Sequence, residues 1–367
     1  MKVFYYFREL DTPMYRWQHT QIFDELERHN IHIIPFNPLS FHSKDEANES
    51  ALKELKAGKY DLFMTCMESE AFYESTLRDI RSFGMPMVLF CPDNLELPYL
   101  HKKIVPYFDV VWLTSWETKY LFEKWNAKNI IFQSYAANPY LYKPHWGEII
   151  STVGFVGSPY GSRTNKLNTL LNGGINCSVY SNMLFEQGYN TSVGKKYKID
   201  IHNVTQKALW YMQFPIGRKV LFSTIKNKIS KKSKLDINNS NLAKFRSVSD
   251  DEMNRLYSDF ALSLNITELR DTYCLNTPIH KIHLRTFEIP MAGGLQFANY
   301  NEEIASYFED GKEIVLYRTK EEMIDKAKYY LDIKHATEVL HMKHNARLRA
   351  EGEHTWFHRF DKIMKVI

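Results

Sequence analysis

Ile149-Ile-Ser-Thr-Val-Gly154-Phe-Val-Gly157-Ser-Pro-Tyr-Gly161-Ser-Arg163-Thr-Asn-Lys166 opens the second half of the chain and reads as a buried strand, a glycine-rich turn and the first turn of a helix. Small residues at the end of such a strand let backbone N–H groups approach a ligand, the helix start is electropositive, and Arg163 can grip two oxygens of a diphosphate. The dinucleotide fingerprint GxGxxG is absent, and an ordinary strand–helix connection is the other reading. Downstream, a helix over Arg163–Asn172 and a strand over Ile175–Tyr180 follow. The alternation resumes with a helix at Ser249–Leu256, a strand at Phe260–Ile266, a helix at Leu284–Met291, strands at Leu295–Ala298 and Glu313–Leu316, and closing helices.

Upstream the same rhythm is present. Lys2–Phe7, Ile31–Phe36, Tyr60–Thr65, Met85–Cys91, Asp109–Thr114 and Asn129–Gln133 read as six buried strands. Trp17–His29, Lys44–Ala57, Ser69–Phe83 and Ser115–Trp125 carry helical periodicity between them. Strand alternating with helix predicts an α/β protein of two doubly wound parallel sheets, whose ligands sit at the carboxyl ends of the strands. Pro139, Pro144 and Gly147 mark the joint, which places a first domain over 1–147 and a second over 148–354 facing it across a cleft. The terminal helix 355–367 should pack back on the first domain through Trp356, Phe357, Phe360 and Ile363.

The 367 residues carry 47 Lys+Arg against 43 Asp+Glu, a formal charge of +4 that is too small to make nucleic acid the partner of the whole chain. Four scattered cysteines without a CxxC pair indicate neither a disulfide framework nor a zinc site and fit a reducing cytoplasm. No stretch is apolar for long enough to span a membrane, and MKVFYYF lacks the parts of a secretory signal. One segment breaks the pattern, an insertion of about 182–246. It has no acidic residue between Asp200 and Asp236, while Lys207, Arg218, Lys219, Lys226, Lys228, Lys231, Lys232 and Lys234 mingle with Trp210, Phe214, Leu221 and Phe222. Its composition suits adsorption on anionic lipid at the inner face of a membrane; a solvated insertion covering a domain edge is the alternative.

His283-Leu-Arg285-Thr-Phe-Glu288-Ile-Pro-Met-Ala-Gly293-Gly294 is the other informative stretch. Arg285, Glu288 and the glycine pair fall on a short helix that meets a buried strand, so Glu288 could accept both hydroxyls of a ribose diol or simply pair with Arg285 at i, i+3.

With these residues laid out, the second half resembles the nucleotide-binding domain of GT-B glycosyltransferases of the glycosyl transferases group 1 kind. It is most similar to their spore-maturation (CgeB-type) branch, through Gly154–Arg163, Arg285–Gly294 and His354-Thr-Trp-Phe-His-Arg359; the likeness over the first 145 residues is looser. The resemblance implies a GT-B fold and transfer of a sugar from a nucleoside diphosphate sugar to a hydroxyl on a surface glycan or lipid-linked glycan. It also implies that Glu288 binds the donor ribose and that Arg163 and Lys166 hold the diphosphate, with Gly157, Ser158, Tyr160, Arg285, Gly293 and Gly294 completing the donor site. His280 stands where the wider group often has a second Glu near the donor sugar. Asp93 and Asp11, each after a strand of the first domain, are the candidate acceptor-side bases, with turn or N-cap residues as the other reading. No cofactor or metal is expected, since there is no Asp-x-Asp and the basic residues would neutralise the leaving diphosphate. Retention of anomeric configuration is favoured over inversion. A GT-B-shaped binding protein without turnover is the alternative function, and a phosphorylase or epimerase a third.

Overall fold

Short runs rich in β-branched and aromatic residues set the first sheet: β1 (Lys2–Tyr6), β2 (His32–Phe36), β3 (Leu62–Thr65), β4 (Met87–Cys91), β5 (Val110–Leu113) and β6 (Asn129–Phe132). They pair in the order β2-β1-β3-β4-β5-β6, every neighbour parallel. The central strands β3, β4 and β5 are buried along their whole length, as a sheet covered on both faces requires. The second sheet holds β7 (Ile150–Val156), β8 (Cys177–Tyr180), β9 (Leu242–Phe245), β10 (Phe260–Asn265), β11 (Gln296–Asn299) and β12 (Ile314–Tyr317) in the order β12-β11-β10-β7-β8-β9, again all parallel. These elements come from a computed structural model that describes residues 1–10, 13–185, 201–229 and 234–367. Every strand expected from the sequence is present within a residue or two of its expected limits.

Three features depart from the sequence reading. The stretch taken as an insertion contributes β9 to the edge of the second sheet, and Leu235 and Leu242 enter that unit's apolar core. Only one of the four β9 side chains is buried, so no apolar run announces the strand. The helix expected over Trp17–His29 is interrupted by a π turn at His19–Phe23. The chain divides into Met1–Leu141 with His354–Ile367, and Tyr142–Glu353. The boundary falls within the joint marked by Pro139 and Gly147 but before residue 147, because Tyr142 is already held by the second unit, its hydroxyl on Glu288 Oε1 at 2.9 Å and its carbonyl on Arg347 Nη1 at 2.8 Å.

His354-Thr-Trp-Phe-His-Arg359 closes the first unit. Thr355 caps the helix Trp356–Met364 in a reciprocal box with His358, and Glu25, from the other end of the sequence, accepts the free N–H groups of Trp356 and Phe357 at 3.2 and 2.7 Å. The buried Arg359 guanidinium donates to the carbonyls of Ser134 and Tyr135, and Gln133 Nε2 donates to the Arg359 carbonyl at 2.8 Å. Trp356, Phe360 and Ile363 are fully buried, with Trp356 and Phe360 against Trp112 of β5.

Burial pushes the Glu25 carboxyl up to about 7, against the pull of the Phe357 and Trp356 amides, Thr355 and Arg359. Between the ordinary 4.5 and that value the folded chain keeps a proton that the unfolded chain has released, so stability is expected to fall as pH rises through this window. Urea melts across it should show that slope, and Glu25→Gln should flatten it. Glu25→Ala leaves two buried amides without an acceptor and is expected to cost about 1–3 kcal/mol.

Candidate functional site

From β7 the chain winds outward through β8 and β9, then returns to place β10 on the other side of β7 and continues to β11 and β12. The carboxyl ends of β7 and β10 therefore flank the point where the winding reverses, which is where sheets of this kind take their ligands. Gly157 ends β7 with φ +145° and donates its N–H to the Tyr180 carbonyl at 3.0 Å. Gly161, at φ +58°, precedes the helix Ser162–Asn172. That helix has no side-chain cap and no acidic residue in its first turn, so the positive end of its dipole is not neutralised there.

Two guanidinium groups converge on this turn. Arg163 Nη1 donates to the Ser158 carbonyl at 3.1 Å, and its guanidinium lies 4.7 Å from the centre of the exposed Tyr160 ring. Arg285 opens the helix Arg285–Met291, and its Nη2 would stand 2.7 Å from a Cβ at position 157, so any side chain there would push the guanidinium aside. Both guanidiniums are 6.0 Å from the Phe155 ring. Burial and the nearby Arg285 charge weigh against the Arg163 cation and lower its pKa. Burial opposes the Arg285 cation too, but Tyr257 and Glu288 outweigh it. Two like charges brought together at a strand end attract an anion bearing more than one oxygen.

Glu288, one turn into the same helix, is 7 % exposed and holds the Tyr142 hydroxyl. Burial raises its pKa, while Tyr142 and Arg285 pull it down. On the opposite flank Lys166 Nζ is 3.1 Å from Glu268 Oε1, so the lysine reaches the site already paired with a buried carboxylate. Glu268 bridges to His280 in an isolated antiparallel pair, and His280 Nδ1 is 2.8 Å from Thr267 Oγ1. Burial lowers the pKa of His280, as does Lys166, and Glu268 only partly restores it. The site thus disfavours the charged form of the ring. Glu268 was missed by sequence reasoning. Its one available signal was an acidic residue just after the buried strand Phe260–Ile266, and its partner lies about a hundred residues upstream.

Gly293 and Gly294 do not belong to the ligand-facing group. The helix Arg285–Met291 runs from the carboxyl edge of the sheet toward the other edge, so the glycines lie where β11 begins. A Cβ on Gly293 would stand 2.8 Å from Pro144 and 3.0 Å from Trp146; one on Gly294 would stand 2.7 Å from the Tyr257 carbonyl. Their place is a tight turn, with φ +79° at Gly293. In the first unit Asp93 is exposed at the carboxyl end of β4. The next residue explains this: buried Asn94 donates to the Ser115 carbonyl and Thr118 and accepts from the amides of Thr114 and Ser115. Asp11 lies outside the described residues. Near the same edge the π turn carries His19, whose Nε2 is 2.5 Å from Glu9 Oε1.

Residues 220–365 match the family model described as "Glycosyl transferase-like". No curated protein matches the chain. Among solved structures, HepE of Anabaena in complex with UDP is similar at 12 % identity with a TM-score of 0.56, over 100 % of this chain and 99 % of that one. The sucrose-phosphate synthase of Thermosynechococcus elongatus gives 10 %, 0.54, 100 % and 98 %. A glycosyltransferase of Rickettsia africae gives 10 %, 0.56, 100 % and 97 %. The fold is GT-B. Two all-parallel six-stranded sheets with flanking helices make up both GT-B units here, and the switch point just described belongs to the second.

Gly157 tests the geometry of this GT-B turn without any ligand. Gly157→Ala adds a Cβ that Arg285 must move to admit, whereas Gly174→Ala, at φ +76° with nothing within 4 Å, adds backbone strain alone. Denaturant melts should show about 1–2 kcal/mol lost in the Gly174 variant and a larger loss in the Gly157 variant.

Proposed function

We propose that the chain is a glycosyltransferase that moves a sugar from a nucleoside diphosphate sugar to a hydroxyl of a surface or lipid-linked glycan. The observation that carries this reading is the pair Arg163 and Arg285 packed on the Gly157 turn at the switch point. A diphosphate supplies the several oxygens that two guanidiniums and an uncapped helix start can engage. UDP and UDP-glucose are the ligands named for complexes of HepE, which supports a uridine nucleotide as the first donor to try. The three motifs shared with the spore-maturation branch support placing the chain there.

In the reaction we assign, an acceptor hydroxyl oxygen bonds to the anomeric carbon as the bond from that carbon to the diphosphate breaks. Negative charge grows on the departing diphosphate, and we assign its stabilisation to Arg163, Arg285 and the uncapped N-terminus of Ser162–Asn172. With these groups meeting the charge we propose metal-independent transfer. Retention is favoured, the acceptor proton passing to the diphosphate itself; in an inverting reaction Asp93 is the exposed carboxylate to take it. Glu288 is assigned the ribose hydroxyls. The buried Glu268–Lys166 pair supports a role for Lys166 at the far end of the diphosphate, its position fixed by the carboxylate.

Calorimetry with UDP and turnover of UDP-glucose test the assignment. Arg163→Ala and Glu288→Gln should each weaken UDP binding by about tenfold or more, the equivalent of a charge-assisted hydrogen bond of about 1.5–3 kcal/mol. Because the Glu288 pKa is raised, affinity in the unsubstituted protein should begin to fall, as pH is lowered, above the ordinary carboxylate range. A chelator should leave turnover unchanged. Unaltered UDP affinity in both variants returns Arg163 and Glu288 to structural roles; tight UDP binding with no transfer to any glycan points to a binding protein.

A further inference from the structure

The segment between β8 and β9 contains two helices, Ile201–Met212 and Pro215–Ile229, that fold back on one another. Gly217 makes their crossing possible, since a Cβ there would collide with the Tyr211 backbone. The inner face of the second helix is fixed to its own unit. Val220 and Ser223 are buried, Asn227 Nδ2 donates to Asp271 at 2.7 Å, and the Tyr273 hydroxyl donates to Asn227 Oδ1 at 2.8 Å.

The sequence reading gave the apolar contact to Trp210, Phe214, Leu221 and Phe222, and the structure corrects it. Phe214 is 1 % exposed in the corner between the helices, and Trp210 and Leu221 are half-buried. The side chains that face outward are Phe222, Ile225 and Ile229, at 60, 59 and 83 % exposure, with Leu209 and Met212 of the first helix at 65 and 56 %. Phe222, Ile225 and Ile229 recur at i, i+3 and i+7 and form one stripe, and Leu209 and Met212 are an i, i+3 pair. The stripe of Phe222, Ile225 and Ile229 thus lies opposite the face that the second helix uses inside its unit.

We propose that this outward face of the hairpin docks on an anionic lipid surface, Phe222, Ile225 and Ile229 entering the interface and lysines meeting the headgroups. Charge selects the partner. No acidic residue occurs from Ile201 to Leu235. Lys207, Lys219 and Lys228 are exposed and make no ion pair among the described residues. Arg218 and Lys226 donate to the Met212 and Cys274 carbonyls. A second copy of this chain would bring the same cations against these, whereas phosphate headgroups balance them. No described helix is long and apolar enough to cross a membrane, so the contact is one of adsorption. The inference does not depend on the donor chemistry and adds to it a place of action, beside lipid-linked hydroxyls.

Co-sedimentation of the full chain with vesicles tests the proposal, using phosphatidylcholine alone and phosphatidylcholine mixed with phosphatidylglycerol. Binding is expected only to the mixed vesicles and should weaken as salt is raised. Lys207→Gln, Lys219→Gln and Lys228→Gln together should weaken it by roughly a hundredfold, at about fivefold per charge. Phe222→Ser with Ile225→Ser should abolish binding while leaving calorimetric UDP affinity intact, so that loss of lipid contact and loss of the donor site read out separately. Equal binding to neutral and mixed vesicles overturns the proposal. So does no binding to either by a folded protein, or a dimer in solution that the serine variants dissolve.

Discussion

Two arginines that ought to repel one another are held on one glycine turn, and the rest of the second unit can be understood as what keeps them there. Arg285 lies where Gly157 lacks a side chain, and Arg163 is folded back onto Ser158 and the Tyr160 ring. Glu288 is too deeply buried, and too committed to Tyr142, to act merely as a surface counter-charge. The strands supply the position, because the reversal of winding between β7 and β10 leaves the turn uncovered by its own connections. Two guanidiniums held this close make an electropositive turn, fixed in place by the glycine backbone beneath them.

Much of this was legible in the chain alone, for a physical reason. A strand buried on both faces must be apolar at nearly every position, so β3, β4 and β5 appear as continuous apolar runs. The Gly157 turn and Arg285–Glu288 were legible because each is a local arrangement spanning a dozen residues. What escaped was non-local or half-exposed. β9 has a single buried side chain and is a strand only because β8 offers an edge to it. The Lys166–Glu268 pair joins residues about a hundred apart, and spacing cannot reveal it. The glycine pair was misplaced because its neighbours in sequence, Arg285 and Glu288, sit at one end of a helix and it sits at the other. In the hairpin, composition identified the kind of side chain that faces out but not which ones, since the crossing at Gly217 decides that.

The three sequence motifs Gly154–Arg163, Arg285–Gly294 and His354–Arg359 do different things in the fold. Gly154–Arg163 and the start of Arg285–Gly294 build the turn that holds the two arginines. His354–Arg359 does none of this; its threonine caps a helix, its tryptophan fills the first unit's core and its arginine bonds two carbonyls of the loop after β6. A motif can be specific because several buried groups must be satisfied at once, with no ligand involved.

The contact between Glu25 and the amides of Trp356 and Phe357 spans 331 and 332 residues of sequence. During synthesis the first unit therefore emerges with its sheet complete while the fully buried surface of Trp112 still lacks its cover, and it remains so until the whole of the second unit has been translated. Assembly of the early half is thus timed by the late half. Of these two units, the one whose strands are translated first is the later to close its core.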